Sequence, residues 1–91
     1  MPGRDQTEQP LKTWYSVVDK AEWRTHADVK ADFGASVDLA YGKYIFDIKG
    51  NDFRLVCVID FVTHGVLVRW IGTHRECDEL NKNQGRKLRQ L

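Results

Sequence analysis

Apolar side chains recur every three to four positions through Leu11, Trp14, Val17, Val18 and Ala21, a spacing that predicts an amphipathic helix over residues 10–22. Pro10 suits its first turn, where no backbone donor is needed, and Trp23 closes the apolar stripe. The polar stretch before it, residues 1–9, predicts a disordered or loosely attached lead-in. Thr25 can cap a second, short helix that runs to Asp32 or Phe33, with Gly34 as its stop, and residues 35–42 read as a connector. From Lys43 the period shortens to two. Residues 43–49, 53–61 and 66–71 are β-branched and aromatic runs separated by Gly50-Asn51 and by a turn around Thr63, His64 and Gly65. They predict a three-stranded antiparallel meander. Thr73-His74-Arg75-Glu76 then fits a capping box, with Thr73 as cap and Glu76 three residues on, and opens a last short helix toward Leu80. The fold class is therefore α+β, with N-terminal helices packed on one face of a small antiparallel sheet.

A two-residue turn at Gly50-Asn51 pairs Lys49 with Asp52 and Asp47 with Arg54, and this register sorts the faces. Tyr44, Phe46, Ile48, Phe53, Leu55, Cys57, Ile59 and Phe61 share an apolar side for the helices to cover. Ile45, Asp47, Lys49, Arg54, Val56, Val58 and Asp60 share the other, mixed side. A four-residue loop, Val62 to Gly65, adds Val66, Val68 and Trp70 to the core face and Leu67, Arg69 and Ile71 to the mixed one, with Arg54 opposite Thr73. A three-residue loop would drive Arg69 into the core, which an unpaired guanidinium resists.

Length and composition narrow the class. Ninety-one residues make one small domain with a thin core. No apolar run is long enough to span a bilayer, and the polar start lacks the apolar stretch of a signal peptide. The expectation is a cytoplasmic protein without a membrane partner. Cys57 and Cys77 stand singly and read as free thiols. The net charge of +1 is uneven: residues 1–41 hold five basic and seven acidic side chains, residues 42–91 nine and six. The last ten residues carry Lys82, Arg86, Lys87 and Arg89 with no acid, a basic tail that fits either a polyanion or a solvated end.

Lys49, Arg54, Arg69 and His74, drawn from separated positions, converge on the mixed face. Such a set suits metal-free phosphodiester chemistry on RNA. Guanidinium groups bind phosphate oxygens and stabilise a pentacoordinate phosphorane, while an imidazole moves the proton of the 2′-hydroxyl or of the leaving oxygen. The same residues also have plain structural uses: Arg54 paired across the strands with Asp47, Arg69 with Asp60, and Glu76 as a helix cap. A zinc site from Cys57, Cys77, His64 and His74 fails on geometry, because Cys57 belongs to the apolar face while the histidines lie at opposite ends of the third strand. No nucleophile motif or phosphate-cradling Gly-rich loop is present, so no cofactor is expected.

The strings Leu11-Lys-Thr-Trp14-Tyr15, Ala27-Asp-Val-Lys-Ala-Asp-Phe33, Tyr44-Ile-Phe-Asp-Ile-Lys-Gly-Asn-Asp-Phe-Arg54-Leu and Ile71-Gly-Thr-His74-Arg-Glu76 carry a further signal. Together they resemble the HigB family of type II toxins in the RelE-like superfamily, over about Pro10 to Leu80. The resemblance implies a metal-free mRNA endoribonuclease acting on translating ribosomes. It also implies neutralisation by a helix-turn-helix antitoxin of the HigA type, with which the toxin represses its own operon. Carried over by motif, Lys49, Asn51 and Arg54 come from K-G-N-x-x-R, Arg69 from the third strand, and His74 and Glu76 from T-H-x-E. Arg54, Arg69, His74 and Glu76 are the expected catalytic group, and Lys49, Asn51, Arg75 and Lys82 the expected RNA-binding group. Two departures stand out. Family members begin with a short strand and a helix where this chain has nine unpatterned residues, which implies either a start codon placed too late or a shortened form. Its uncovered apolar flank near the N-terminal helix would then suit a partner or self-association. The family also continues T-H-x-E-Y-D, whereas Cys77 replaces that tyrosine here. A degenerate, catalytically silent toxin that only binds antitoxin or RNA is the alternative this departure supports.

Overall fold

The computed structural model describes residues 2–49 and 52–91, with side chains from residue 9 onward. Helix α1 (Pro2–Lys20) and helix α2 (His26–Phe33) lead into a four-stranded antiparallel sheet in the order β1 (Val37–Ala40), β2 (Lys43–Ile48), β3 (Phe53–Asp60), β4 (Gly65–Thr73). Helix α3 (His74–Leu80) follows directly, and two short helical turns end the chain.

Three of these elements differ from the sequence expectation. Residues 2–9 continue α1 rather than forming a loose lead-in, so Pro10 lies inside the helix. Pro2 can take the place of first-turn proline, and the polar residues after it are mostly tolerant of helix. The expected connector 35–42 contains β1, whose four residues are too few to announce an alternation. It pairs with β2 through a tight turn at Tyr41-Gly42, where both residues have positive φ (51° and 78°). That signature belongs to the hairpin turn whose twist matches the strands. The basic tail is also not a solvated end: Leu88 is fully buried.

The caps agree with the sequence. The Asp28 carboxylate accepts from the backbone N–H groups of Arg24 (2.8 Å) and Thr25 (3.2 Å) at the start of α2. These bonds hold its pKa below the ordinary value. Gly34, with φ 57°, ends the helix.

Register places the two faces. Asp47 pairs with Arg54 and Ile48 with Phe53 as the two-residue turn requires; Gly50 and Asn51 themselves lie outside the described residues. The β3–β4 loop begins one residue earlier than expected, with Asp60 paired to Gly65. The Asp60 carboxylate accepts from the N–H of Val62 (2.9 Å), which pins the turn there. Val66 and Val68 still share the core face with Ile59 and Cys57. Then Val68 pairs with Cys57 but Trp70 with Val56, so Arg69 is the extra residue of a β-bulge. The bulge reverses the parity of everything after it. Trp70 sits on the mixed face beside Val56, Ile71 goes to the core side, and Arg54 lies opposite Gly72 rather than Thr73.

The sheet consequently carries a hydrophobic cluster on each side. On one, α1 and α2 cover it: Trp14, Trp23, Val29, Val37, Tyr44, Phe46, Ile48, Leu55 and Cys57 are buried together. Trp14 and Phe33 both meet Phe46 edge-on, at 5.5 and 4.8 Å between ring centroids. On the other, Ile45, Val56, Cys77 and Leu88 are buried, with Trp70, Leu80 and Leu91 packed around them. Large apolar side chains left exposed include Val68 and Ile71 on the helix-covered side of β4, Leu67 on its other side, Tyr15 and Val17 of α1, and Leu39, Tyr41 and Val62 elsewhere.

Candidate nucleic-acid interface

Helix α3 stands at the end of the mixed face because its cap is built from the strand that feeds it. Thr73 Oγ1 accepts from the Glu76 backbone N–H (3.2 Å), and Glu76 Oε1 accepts from the Thr73 backbone N–H (2.9 Å) and hydroxyl (3.1 Å). The His74 N–H donates to the Asp52 carbonyl (3.1 Å), which ties the helix start to the β2–β3 turn. His74 is thereby fixed beside the Asp47–Arg54 pair.

Arg54 is the centre of the arrangement. Only 19% of its side chain is exposed; its Nε donates to Asp47 Oδ1 at 3.1 Å and its Nη1 lies 3.6 Å from Asp78 Oδ1. Asp78 reaches back with its other oxygen to His74 Nε2, at 3.1 Å. One carboxylate thus links the guanidinium and the imidazole and fixes the orientation of both. A guanidinium has five N–H donors, so these two contacts leave others for an anion. Sequence reasoning did not single out Asp78, although its position four residues after His74 on one helix face is the signal that finds it.

Cys77 lies beneath this group, 1% exposed, and burial pushes its thiol pKa up while Arg54 opposes the shift. Trp70 was also missed, since the expected register turned it inward. Its ring lies over Gly72, opposite Arg54: a Cβ added at Gly72 would fall 2.6 Å from the Trp70 ring and 2.9 Å from Glu76 Oε1. Only glycine lets the indole lie against the strand here.

The remaining predicted residues are dispersed. Lys49, with φ 54°, follows β2 at the start of the turn and lies 3.8 Å from Asp52. Arg69 is exposed at the bulge and its side chain makes no hydrogen bond or ion pair among the described residues, so it is not joined to Arg54 or His74. Glu76 is occupied by the cap, Arg75 is exposed on α3, and Lys82 pairs with Glu79 at 2.9 Å. Asn51 lies outside the described residues. The Tyr41 ring is engaged by Arg89, whose guanidinium lies 5.4 Å from the centroid. Among the described residues no group of three or more His, Cys, Asp or Glu is placed to hold a metal ion, and no helix is long and apolar enough to cross a membrane.

N-terminal helices packed on a four-stranded antiparallel sheet, with a capped C-terminal helix bringing His74 to Arg54, define the α+β architecture of the RelE-like toxins. Residues 7–80 match the HigB_toxin family, the RelE-like toxic component of a toxin–antitoxin system, and the chain belongs to that family. It is similar to the mRNA interferase HigB of Escherichia coli O6:H1 strain CFT073, with 27% identity over 74 residues that cover 79% of this chain and 72% of that protein. Membership supports a toxin role with nuclease character and an antitoxin as partner.

Proposed function

We propose that the protein is a metal-free endoribonuclease that cleaves messenger RNA on translating ribosomes and is neutralised by a helix-turn-helix antitoxin of the HigA type. The observation that carries this reading is the Arg54–Asp78–His74 linkage at the end of the mixed face. In the proposed step the 2′-oxygen attacks the adjacent phosphorus and loses its proton, the bond to the 5′-oxygen breaks, and that oxygen takes up a proton. Arg54 stabilises the charge gathered on the phosphorane oxygens and His74 carries one of the two proton transfers. Asp78 holds both residues in register. Lys49, and Arg69 from the bulge, attract the flanking backbone, with Arg75 alongside. Glu76 acts on the reaction only through the cap that positions His74.

Expression of the wild-type chain should arrest growth and shorten messages, and co-expression of the antitoxin should relieve both. His74→Ala or Arg54→Ala should abolish the arrest; a fully toxic double variant overturns the assignment. One specific observation favours a second reading. Asp47 and Asp78 both lean on Arg54, and the tyrosine of the family motif is absent, which suits a silent toxin that still engages its antitoxin. Antitoxin binding without any shortening of messages would select that reading.

A further inference from the structure

Residues 81–91 lie beyond the stretch that matches the family, yet they are built into the fold. Leu88 is fully buried against the cluster of Ile45, Val56 and Cys77. Gly85, at φ 70°, packs so closely on Tyr41 that an added Cβ would lie 2.4 Å from the ring, and the Arg89 guanidinium engages the same ring. Asn83 and Gln84, both left-handed, turn the chain between α3 and these anchors. The side chains of Glu79, Lys82, Asn83, Arg86, Lys87 and Gln90 then line an open cleft of about 340 Å³.

The charge of this cleft is unbalanced. Lys82, Arg86 and Lys87 face the single carboxylate of Glu79, and that carboxylate is already bound to Lys82 at 2.9 Å. The side chains of Arg86 and Lys87 make no hydrogen bond or close ion pair among the described residues, and Lys87 acts on Glu79 only from a distance, helping Lys82 to hold its pKa down. Like charges gathered on an anchored segment repel one another unless an anion joins them. Because Leu88 and Gly85 already hold the segment, binding there orders only side chains.

We propose that this cleft binds the phosphodiester backbone of single-stranded RNA, a few nucleotides from the scissile phosphate; the inference rests on the nuclease reading and extends it. Two observations favour RNA backbone. The cleft opens at the far end of α3 from His74: Glu79 is five residues on, roughly 8 Å along the axis, and Leu88 packs on the sheet face that carries Arg54. The cleft also pairs cations with the neutral amides of Asn83 and Gln90, while the nearby Tyr41 ring is engaged by Arg89. It offers contacts to phosphate and sugar, and no platform for a base. Recognition there is independent of sequence.

The test compares the full wild-type chain with an Arg86→Ala/Lys87→Ala variant, binding a single-stranded 12-mer RNA blocked by 2′-O-methyl groups and a trinucleotide of the same chemistry. The variant should bind the 12-mer more weakly. Its log-log salt slope should be shallower by about 1.4, so that between about 50 and 200 mM salt the wild-type advantage shrinks roughly sevenfold. Trinucleotide binding should be unchanged, and the charge-conserving Arg86→Lys/Lys87→Arg variant should behave as wild type. An unchanged slope for the 12-mer overturns the inference. So does an equal loss on both lengths, which would mean a damaged fold or a damaged scissile site. RNA binding like wild type with lost antitoxin affinity would assign the cleft to an acidic protein surface instead, and also overturns it. Slope-dependent binding by a chain that cleaves nothing removes the nuclease reading and leaves the cleft standing; cleavage with an unchanged slope does the reverse.

Discussion

At position 72 a single added methyl group would meet the Trp70 ring at 2.6 Å and Glu76 Oε1 at 2.9 Å. Neither neighbour is free to yield, since Trp70 packs on the Val56 cluster and Glu76 closes the α3 cap. Gly72→Ala should therefore cost about 1–3 kcal/mol, the range for overpacking, and be visible as a lower urea midpoint with unchanged m-value. At the same scale, the two thiols respond to alkali in a definite sense. Burial raises the Cys57 pKa from 9.0 to about 12. The folded chain thus keeps a proton that the unfolded chain gives up, and the stability this supplies is complete below about pH 9 and drains away as pH rises toward 12. A Cys57→Ala variant titrated over that range should lose less stability with pH than the wild type. Arg54 illustrates what a sequence conveys about a site: its pairing with Asp47 follows from strand alternation, but its second partner, Asp78, comes from an element whose placement depends on the whole sheet.

Among the elements, the C-terminal turn carries the clearest expectation. Leu88→Ala removes a fully buried side chain from a small cluster and should cost about 2–5 kcal/mol, read by chemical denaturation. Thr73→Ala should cost about 1 kcal/mol through the lost cap. Strong local signals are the ones the chain displays openly. The Thr25 and Thr73 helix starts, the Gly34 stop and the alternation of β2 and β3 each depend on residues within a turn or two. The bulge at Arg69 is different, because nothing local demands it. It arises where Trp70 finds room beside Val56 and over Gly72, a fit that exists only after β3 and β4 have met. Leu88 escaped for the same reason: two leucines, Leu88 and Leu91, among four basic residues make no clear periodicity, and the burial of Leu88 depends on a surface formed by Ile45, Val56 and Cys77.

For the molecule as a whole, the sheet divides two clusters, and each holds one buried cysteine. Cys57 lies under α1 and α2 on the central strand β3; Cys77 lies under the C-terminal segment. Their labelling rates by an alkylating reagent should report the two faces separately. Cys77 should react through local detachment of the segment around Leu88, and Cys57 only through opening of the helical face. In Leu88→Ala, Cys77 labelling should accelerate far more than Cys57 labelling, as mass spectrometry of peptides would show; equal acceleration would mean that the faces open together.

The burial of Leu88 also bears on the order in which the protein is made. A chain folds from its N-terminus as it is synthesised, and the larger cluster, Trp14 through Cys57, can close before Leu88 has been added. The cluster behind Arg54 cannot, since it waits for Leu88. The face that gathers Arg54, His74 and Asp78 is thus finished only once Leu88 has emerged, so in the nascent chain that side stays open after the helical side has been able to close.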